Sequence, residues 1–125
     1  MLNLFLLISI LFQNFNLEVL PKKDLNELAF EVKNLSFFSI QFELNYNPEE
    51  MVFINVEKGE IAKDAIFAEN HKFEGKVKVA LASPKEIKGD GKLFIFSFKG
   101  KGKVFIKNIL IDDKPFKDFE VDLRK

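Results

Sequence analysis

FSIQFELNY, residues 38–46, sets Phe38, Ile40, Phe42, Leu44 and Tyr46 at every second position and fills the gaps with Ser39, Gln41, Glu43 and Asn45. Alternate side chains of an extended chain point to opposite faces, so the segment predicts a strand with one dry face and one wet face. The same alternation recurs on either side of it. Leu28, Phe30 and Val32 interleave with Ala29, Glu31 and Lys33, while Val77, Val79 and Leu81 interleave with Lys76, Lys78 and Ala80. Near the C-terminus Phe119, Val121 and Leu123 alternate with Glu120 and Asp122. Four further runs, 17–20, 51–56, 93–98 and 104–111, are more continuously apolar. Turn chemistry separates the runs at Asn47-Pro48, Lys58-Gly59, Glu74-Gly75, Gly89-Asp90-Gly91, Gly100-Lys101-Gly102 and Asp112-Asp113-Lys114-Pro115. Strands this short and this regularly spaced, with no convincing helical stretch, indicate an all-β, two-sheet sandwich. Residues 64–71 stay open, because Ala65, Phe67 and Ala68 fit either a short helix or an irregular strand.

A length of 125 residues allows one domain, or one small domain with a leader. All 19 basic and all 19 acidic side chains lie from Glu18 onward, so the chain divides in two and its formal net charge is zero. Neutrality without a block of like charge removes the electrostatic case for nucleic acid or an anionic membrane surface as partner. The stretch from Leu2 to Phe12 is apolar apart from Asn3 and Ser9, and its flank holds no Lys or Arg. As a helix it would span about 17 Å, short of the roughly 30 Å hydrocarbon core, so it fits a secretory h-region better than a membrane span. Residues 1–16 are therefore expected to be a signal peptide or hydrophobic leader, and 17–125 an exported domain of the cell envelope or exterior. A membrane would be met only through an uncleaved leader. The competing expectation is that residues 4–12 form a buried first strand or helix of the domain.

Little in the chain offers catalysis. Cysteine is absent and His71 is the one histidine, which removes disulfides, thiolate nucleophiles and the usual two- or three-imidazole zinc sites. None of Ser36, Ser39, Ser83 or Ser97 sits in a Gly-x-Ser-x-Gly elbow. Glu49-Glu50 read as the start of a strand after a Pro turn and Asp112-Asp113 as a turn, rather than as a glycosidase pair. Gly89-Asp90-Gly91 is followed by the strand-like KLFIFSF, so it is no phosphate loop opening a helix, and it lacks the alternating oxygen ligands of an EF-hand. It is expected to be a tight turn. Phe supplies 16 residues against one Tyr and no Trp. An aromatic ring without a polar edge suits core filling, and Tyr46 lies on the inward phase of its strand, so a carbohydrate platform is disfavoured. No enzyme, cofactor or metal is expected.

Two stretches together resemble the cohesin domain. SIQFELNYNPEEMVFINVEKGEI, residues 39–61, is similar to the family's alternating strand ending in Leu-x-Tyr-Asp/Asn-Pro, followed by an apolar strand and a Val-x-x-Gly turn. GKVKVALASPKEIKGDGKLFIFSFKGKG, residues 75–102, resembles its strand with a small-residue Ala-Ser end, then Gly-Asp/Asn-Gly and an apolar strand closing on Phe-Lys. LAFEVKNL and VFIKNILIDD fit the strands before and after, so the resemblance covers about residues 17–123 in order. It implies a jelly-roll sandwich of nine strands, at roughly 17–20, 28–33, 38–46, 51–56, 64–69, 75–82, 92–99, 103–111 and 117–123. It also implies a non-catalytic module that binds a dockerin-type protein through the face of the third, fifth, sixth and eighth strands. On that face the outward positions would be Ser39, Gln41, Glu43, Lys76, Lys78, Ala80 and Lys107. Where dockerin-binding members often carry Asn and Asp, seven and five residues before the conserved Tyr, this chain has Ser39 and Gln41. The alternatives are a structural component of an envelope or secretion assembly, joined through edge strands, and a carbohydrate-binding sandwich.

Overall fold

The apolar phase of residues 38–46 packs inward as one half of a much longer strand. The computed structural model describes residues 15–21 and 25–124. Its strands are β1 (Phe15–Pro21), β2 (Asn26–Tyr46), β3 (Met51–Lys58), β4 (Ile66–Asn70), β5 (Lys76–Gly100), β6 (Lys103–Ile111), β7 (Lys114–Phe116) and β8 (Phe119–Asp122), with a 3-10 turn at Glu60–Ala62 before β4. The expected leader lies outside the described residues except at its end, where Phe15 and Asn16 pair with Val32 and Glu31.

All pairings are antiparallel, and the long strands β2 and β5 each serve two layers. Residues 26–32 of β2 lie between β1 and residues 91–98 of β5, and that part of β5 also pairs with β3, which makes the layer β1-β2-β5-β3. Residues 39–46 of β2 lie between residues 76–82 of β5 and β6, with β4 outside β5 and β7 and β8 outside β6. The layers meet through aromatic rings. Phe42 of the second layer stacks on Phe30 of the first at 5.0 Å between centroids, and stands edge-on to Phe94 at 5.4 Å. Leu28, Phe94, Phe96, Phe98, Leu44, Val77, Val104 and Ile106 complete a dry interior, each without exposed surface. The result is the expected β-sandwich of jelly-roll type.

The strand count differs from expectation. The segments expected at 28–33 and 38–46 run on as β2, and those at 75–82 and 92–99 run on as β5, so nine strands become seven; β7, three residues long, was not foreseen. Gly89-Asp90-Gly91 is consequently not a tight turn. The chain bends there from one layer to the other without reversing, through register shifts between Val32 and Leu35 and between Phe37 and Ser39. Gly89 (φ +107°) and Asn34 (φ +51°) take left-handed conformations on the two bulged strands, and the Asn34 N–H donates to Asp90 Oδ1 at 2.9 Å. The second shift, between Phe37 and Ser39, reverses the phase of a side chain: Phe37 is wholly buried and Phe38 is 48% exposed, opposite to the alternation expected of Phe38. The open segment 64–71 resolves as the short strand β4.

Asp112-Asp113 does form a turn. Both residues have positive φ, 51° and 66°, as a two-residue type I′ hairpin requires between Ile111 and Lys114. Asp112 has a second task, because its Oδ1 accepts the N–H groups of Phe38 at 2.8 Å and Ser39 at 3.0 Å, beside the bend of β2. Asp112→Ala should therefore cost about 1–2 kcal/mol, through two lost acceptor contacts and a Cβ-only side chain at positive φ. Asp112→Asn keeps both features and should lose far less. Urea denaturation of the two variants checks this, and equal midpoints would remove Asp112 from the account of the bend.

Candidate partner-binding face

The outer face of the β4-β5-β2-β6 layer follows from strand parity. Ile40, Phe42 and Leu44 face the core, as do Val77, Val79 and Leu81, so Ser39, Gln41 and Glu43 and likewise Lys76, Lys78 and Ala80 point away from it. Register sets these rows side by side: Gln41 lies opposite Ala80, Glu43 opposite Lys78, and Ser39 opposite Ala82. On the other side of β2, Glu43 lies opposite Lys107. All seven residues expected from sequence thus share one face. Lys107 is outward by alternation with the buried Ile106, and β6 bulges just after it. Asn108 has φ +55°, and the pairing with β2 shifts between Gln41 and Glu43, so Ile106 before the bulge and Ile109 after it both turn inward.

Several contributors were missed from sequence. Ala68 and Asn70 on β4 lie opposite Ala80 and Lys78 and widen the face to its edge. Asn45 lies opposite Lys76 on one side and Phe105 on the other. The signal was present for Ala68 and Asn70, which lie one and three positions after the inward Phe67 and so share the opposite face of a strand, but the unsettled secondary structure of 64–71 hid it. A shallow depression of about 540 Å³ opens at the centre, lined by Gln41, Glu43, Ala68, Asn70, Lys78 and Ala80.

Charge on this face is unevenly settled. Glu43 is recessed, with its side chain 15% exposed, and its Oε2 accepts from Asn45 Nδ2 at 3.1 Å and faces Lys76 Nζ at 3.6 Å. Lys103 pairs with Glu120 at 3.7 Å. Asp122 engages Arg124 by a two-pronged contact of 2.9 and 2.8 Å, whose hydrogen bond and charge hold the guanidinium above its ordinary pKa. Lys78 and Lys107 are exposed, and among the described residues no carboxylate closes an ion pair with either. The Lys107 ammonium lies 6.0 Å from the centre of the Phe105 ring, a cation–π distance that keeps the side chain along the face.

The other sequence candidates lie elsewhere. His71 is exposed beyond the end of β4, where its Nδ1 meets Glu69 Oε2 and its ring tilts on Phe53. Tyr46 is half-buried, its ring edge-on to Phe98 at 5.5 Å, which leaves no flat aromatic platform at that position. Among the described residues no group of three or more His, Asp or Glu side chains is placed to hold a metal ion.

A family model of the cohesin domain matches residues 28–115. No curated protein matches the chain. Among solved structures, the chain is similar to a non-cellulosomal cohesin from the archaeon Archaeoglobus fulgidus, with 22% identity and a TM-score of 0.63 over 74% of this chain and 70% of that one. It is similar also to a cohesin module of a family 33 glycoside hydrolase from Clostridium perfringens, with 15% identity and a TM-score of 0.64 over 87% and 96%. A third is the structure of a type I cohesin–dockerin complex from Clostridium thermocellum, at 16% identity and a TM-score of 0.63 over 87% and 98%.

Proposed function

The chain belongs to the cohesin domain family, and from that premise we propose that it is a non-catalytic module that binds another protein through the outer face of the β4-β5-β2-β6 layer. The observation that carries this is convergence. Side chains from three segments far apart in sequence, 39–43, 76–80 and 107, meet on one face around a shallow depression. The Clostridium thermocellum relative is a cohesin in complex with a dockerin, which supports a dockerin-type partner here. Ser39 and Gln41 stand where dockerin-binding relatives often place Asn and Asp, so the partner's recognition surface differs in detail from theirs. The uncharged, apolar sequence ahead of Glu18 supports work outside the cytoplasm. A face of mixed small, amide and charged side chains suits a reversible interface rather than a permanent apolar one.

The test is capture of partners from the envelope fraction of the source cells by three forms of the chain. Ala80→Trp fills the depression from an exposed position, and Glu43→Lys with Lys78→Glu inverts the charge pattern beside it. Each is expected to weaken capture of the specific partner at least about tenfold, the scale of a lost central contact, with circular dichroism unchanged. If both variants hold every specific partner as the wild type does, the binding surface lies elsewhere.

A further inference from the structure

We propose that the partner meets this face with an acidic surface, placing carboxylates against Lys78 and Lys107. The inference rests on the proposal that this face is the binding surface, and it adds the partner's chemistry. A formal count of nearby charges hides the asymmetry. The two carboxylates of this layer nearest the centre are occupied: Glu43 is recessed under Lys76 and Asn45, and Glu69, which also lines the depression, is turned to His71. Toward the β8 side, Glu120 is matched by Lys103 and Asp122 by Arg124. Beyond these matched pairs, Asp118 is taken up by the Asn108 N–H at 3.1 Å, and Lys78 and Lys107 stand outward with no carboxylate among the described residues paired to either. Lys78 and Lys107 flank Glu43 from the two neighbouring strands, opposite it in register, so two ammonium groups bracket the central strand.

The neutral positions between them reinforce the sign. Ser39 and Gln41 place uncharged polar groups along the same strand, and Ala80 opposite Gln41 leaves room for a partner's backbone or short side chain to approach. An incoming basic surface would meet Lys78 and Lys107 before it could reach the recessed Glu43 carboxylate, and like charges brought together at an interface are strongly unfavourable. An acidic surface would find both lysines exposed and would leave the Glu43–Lys76 pair undisturbed.

The experiment is an NMR titration of the isotope-labelled full chain with an amphipathic helical peptide bearing Glu along one face, and with its twin bearing Lys at the same places. The acidic peptide is expected to shift amides at and around Lys78, Ala80 and Lys107, with affinity falling several-fold between low and physiological salt. Lys78→Gln with Lys107→Gln should weaken that binding about fivefold. Glu43→Gln removes the negative charge between the two lysines and should tighten that binding about twofold, a direction that a merely structural role for Glu43 would not produce. Equal or larger shifts of the same amides by the Lys peptide, or no localised shifts with the Glu peptide, overturn the inference. Should the acidic peptide fail while Ala80→Trp still abolishes capture of the cellular partner, the face stands as the binding surface and only its preference for acid falls. Should both fail, the surface itself is wrong.

Discussion

Phe94→Ala is expected to cost about 3–5 kcal/mol, enough to unfold a large fraction of the chain on mild heating, because a domain of this size holds only about 5–15 kcal/mol in all. Phe94 has no exposed surface and sits where the two layers meet. Its ring is edge-on to Phe42 of the opposite layer at 5.4 Å and lies 5.6 Å from Phe67 on β4, 5.9 Å from Phe96 and 6.3 Å from Phe30. Truncation removes the transfer energy of a benzyl group and leaves a void bounded by other rings, which are held by strands on both sides and cannot collapse into it. The lost edge-to-face contacts add to that cost. Phe105→Ala is the matched control, since Phe105 is 36% exposed on the outer face and should cost less than about 1 kcal/mol. Guanidinium denaturation of both variants gives the comparison. A second expectation concerns coupling: Phe42 and Phe94 touch, so the double truncation should cost less than the two single ones together, by about 0.5–3 kcal/mol. A Phe94→Ala loss no larger than that of Phe105→Ala would show that the sandwich is not held at this ring cluster.

That cluster was visible in the sequence as a surplus of Phe on the inward phase of alternating runs, and so was most of the face. Parity alone assigns Ser39, Gln41, Glu43, Lys76, Lys78 and Ala80 to the wet side, because the residues between them are uniformly apolar. Parity fails wherever a bulge inserts a residue, since one extra position exchanges the faces of everything beyond it. Phe38 is exposed for that reason, and Ile109 is buried for the same reason after Asn108. The merged strands have a related origin. Asp-Gly and Asn encode tolerance of positive φ, and a bulged bend uses that tolerance as readily as a hairpin does. At Asp112-Asp113 the chain reverses, whereas at Gly89-Asp90-Gly91 it continues. What decides between them is the partner strand, with Asn34 bulging opposite Asp90, and that partner lies 56 positions away in sequence. The charge asymmetry of the face was hidden for the same reason. Glu43 and Lys76 appear in the sequence as two ordinary surface charges, and only the registry of β2 with β5 makes one of them the cover of the other.

Gly59 illustrates a further limit of turn chemistry, and replacing it should produce the second large effect. In the sequence it closes the Val56-Glu57-Lys58-Gly59 motif, where glycine marks a turn. Its φ is −80°, a conformation open to any residue. The requirement is space. A Cβ at this position would come within 1.9 Å of the Lys92 carbonyl oxygen and 2.3 Å of its carbon, both backbone atoms of β5, while the Gly59 N–H donates to the Leu93 carbonyl at 2.8 Å. The hydrogen bond draws the two backbones together, and no rotamer change relieves a contact between main-chain atoms. Gly59→Ala must therefore break that bond and push β3 off β5 near Leu93, itself fully buried. A cost of about 3 kcal/mol is expected, at the upper end of overpacking effects. Gly89→Ala separates the two reasons for glycine, because at Gly89 nothing lies within 4 Å but φ is +107°. There only the backbone conformation is penalised, at about 1–2 kcal/mol. Urea denaturation should rank Gly59→Ala as clearly the more damaging, with hydrogen exchange quickened at Leu93 and along β3 in that variant alone. If Gly89→Ala proves the more costly, close approach of β3 to β5 is not what holds this edge of the sandwich.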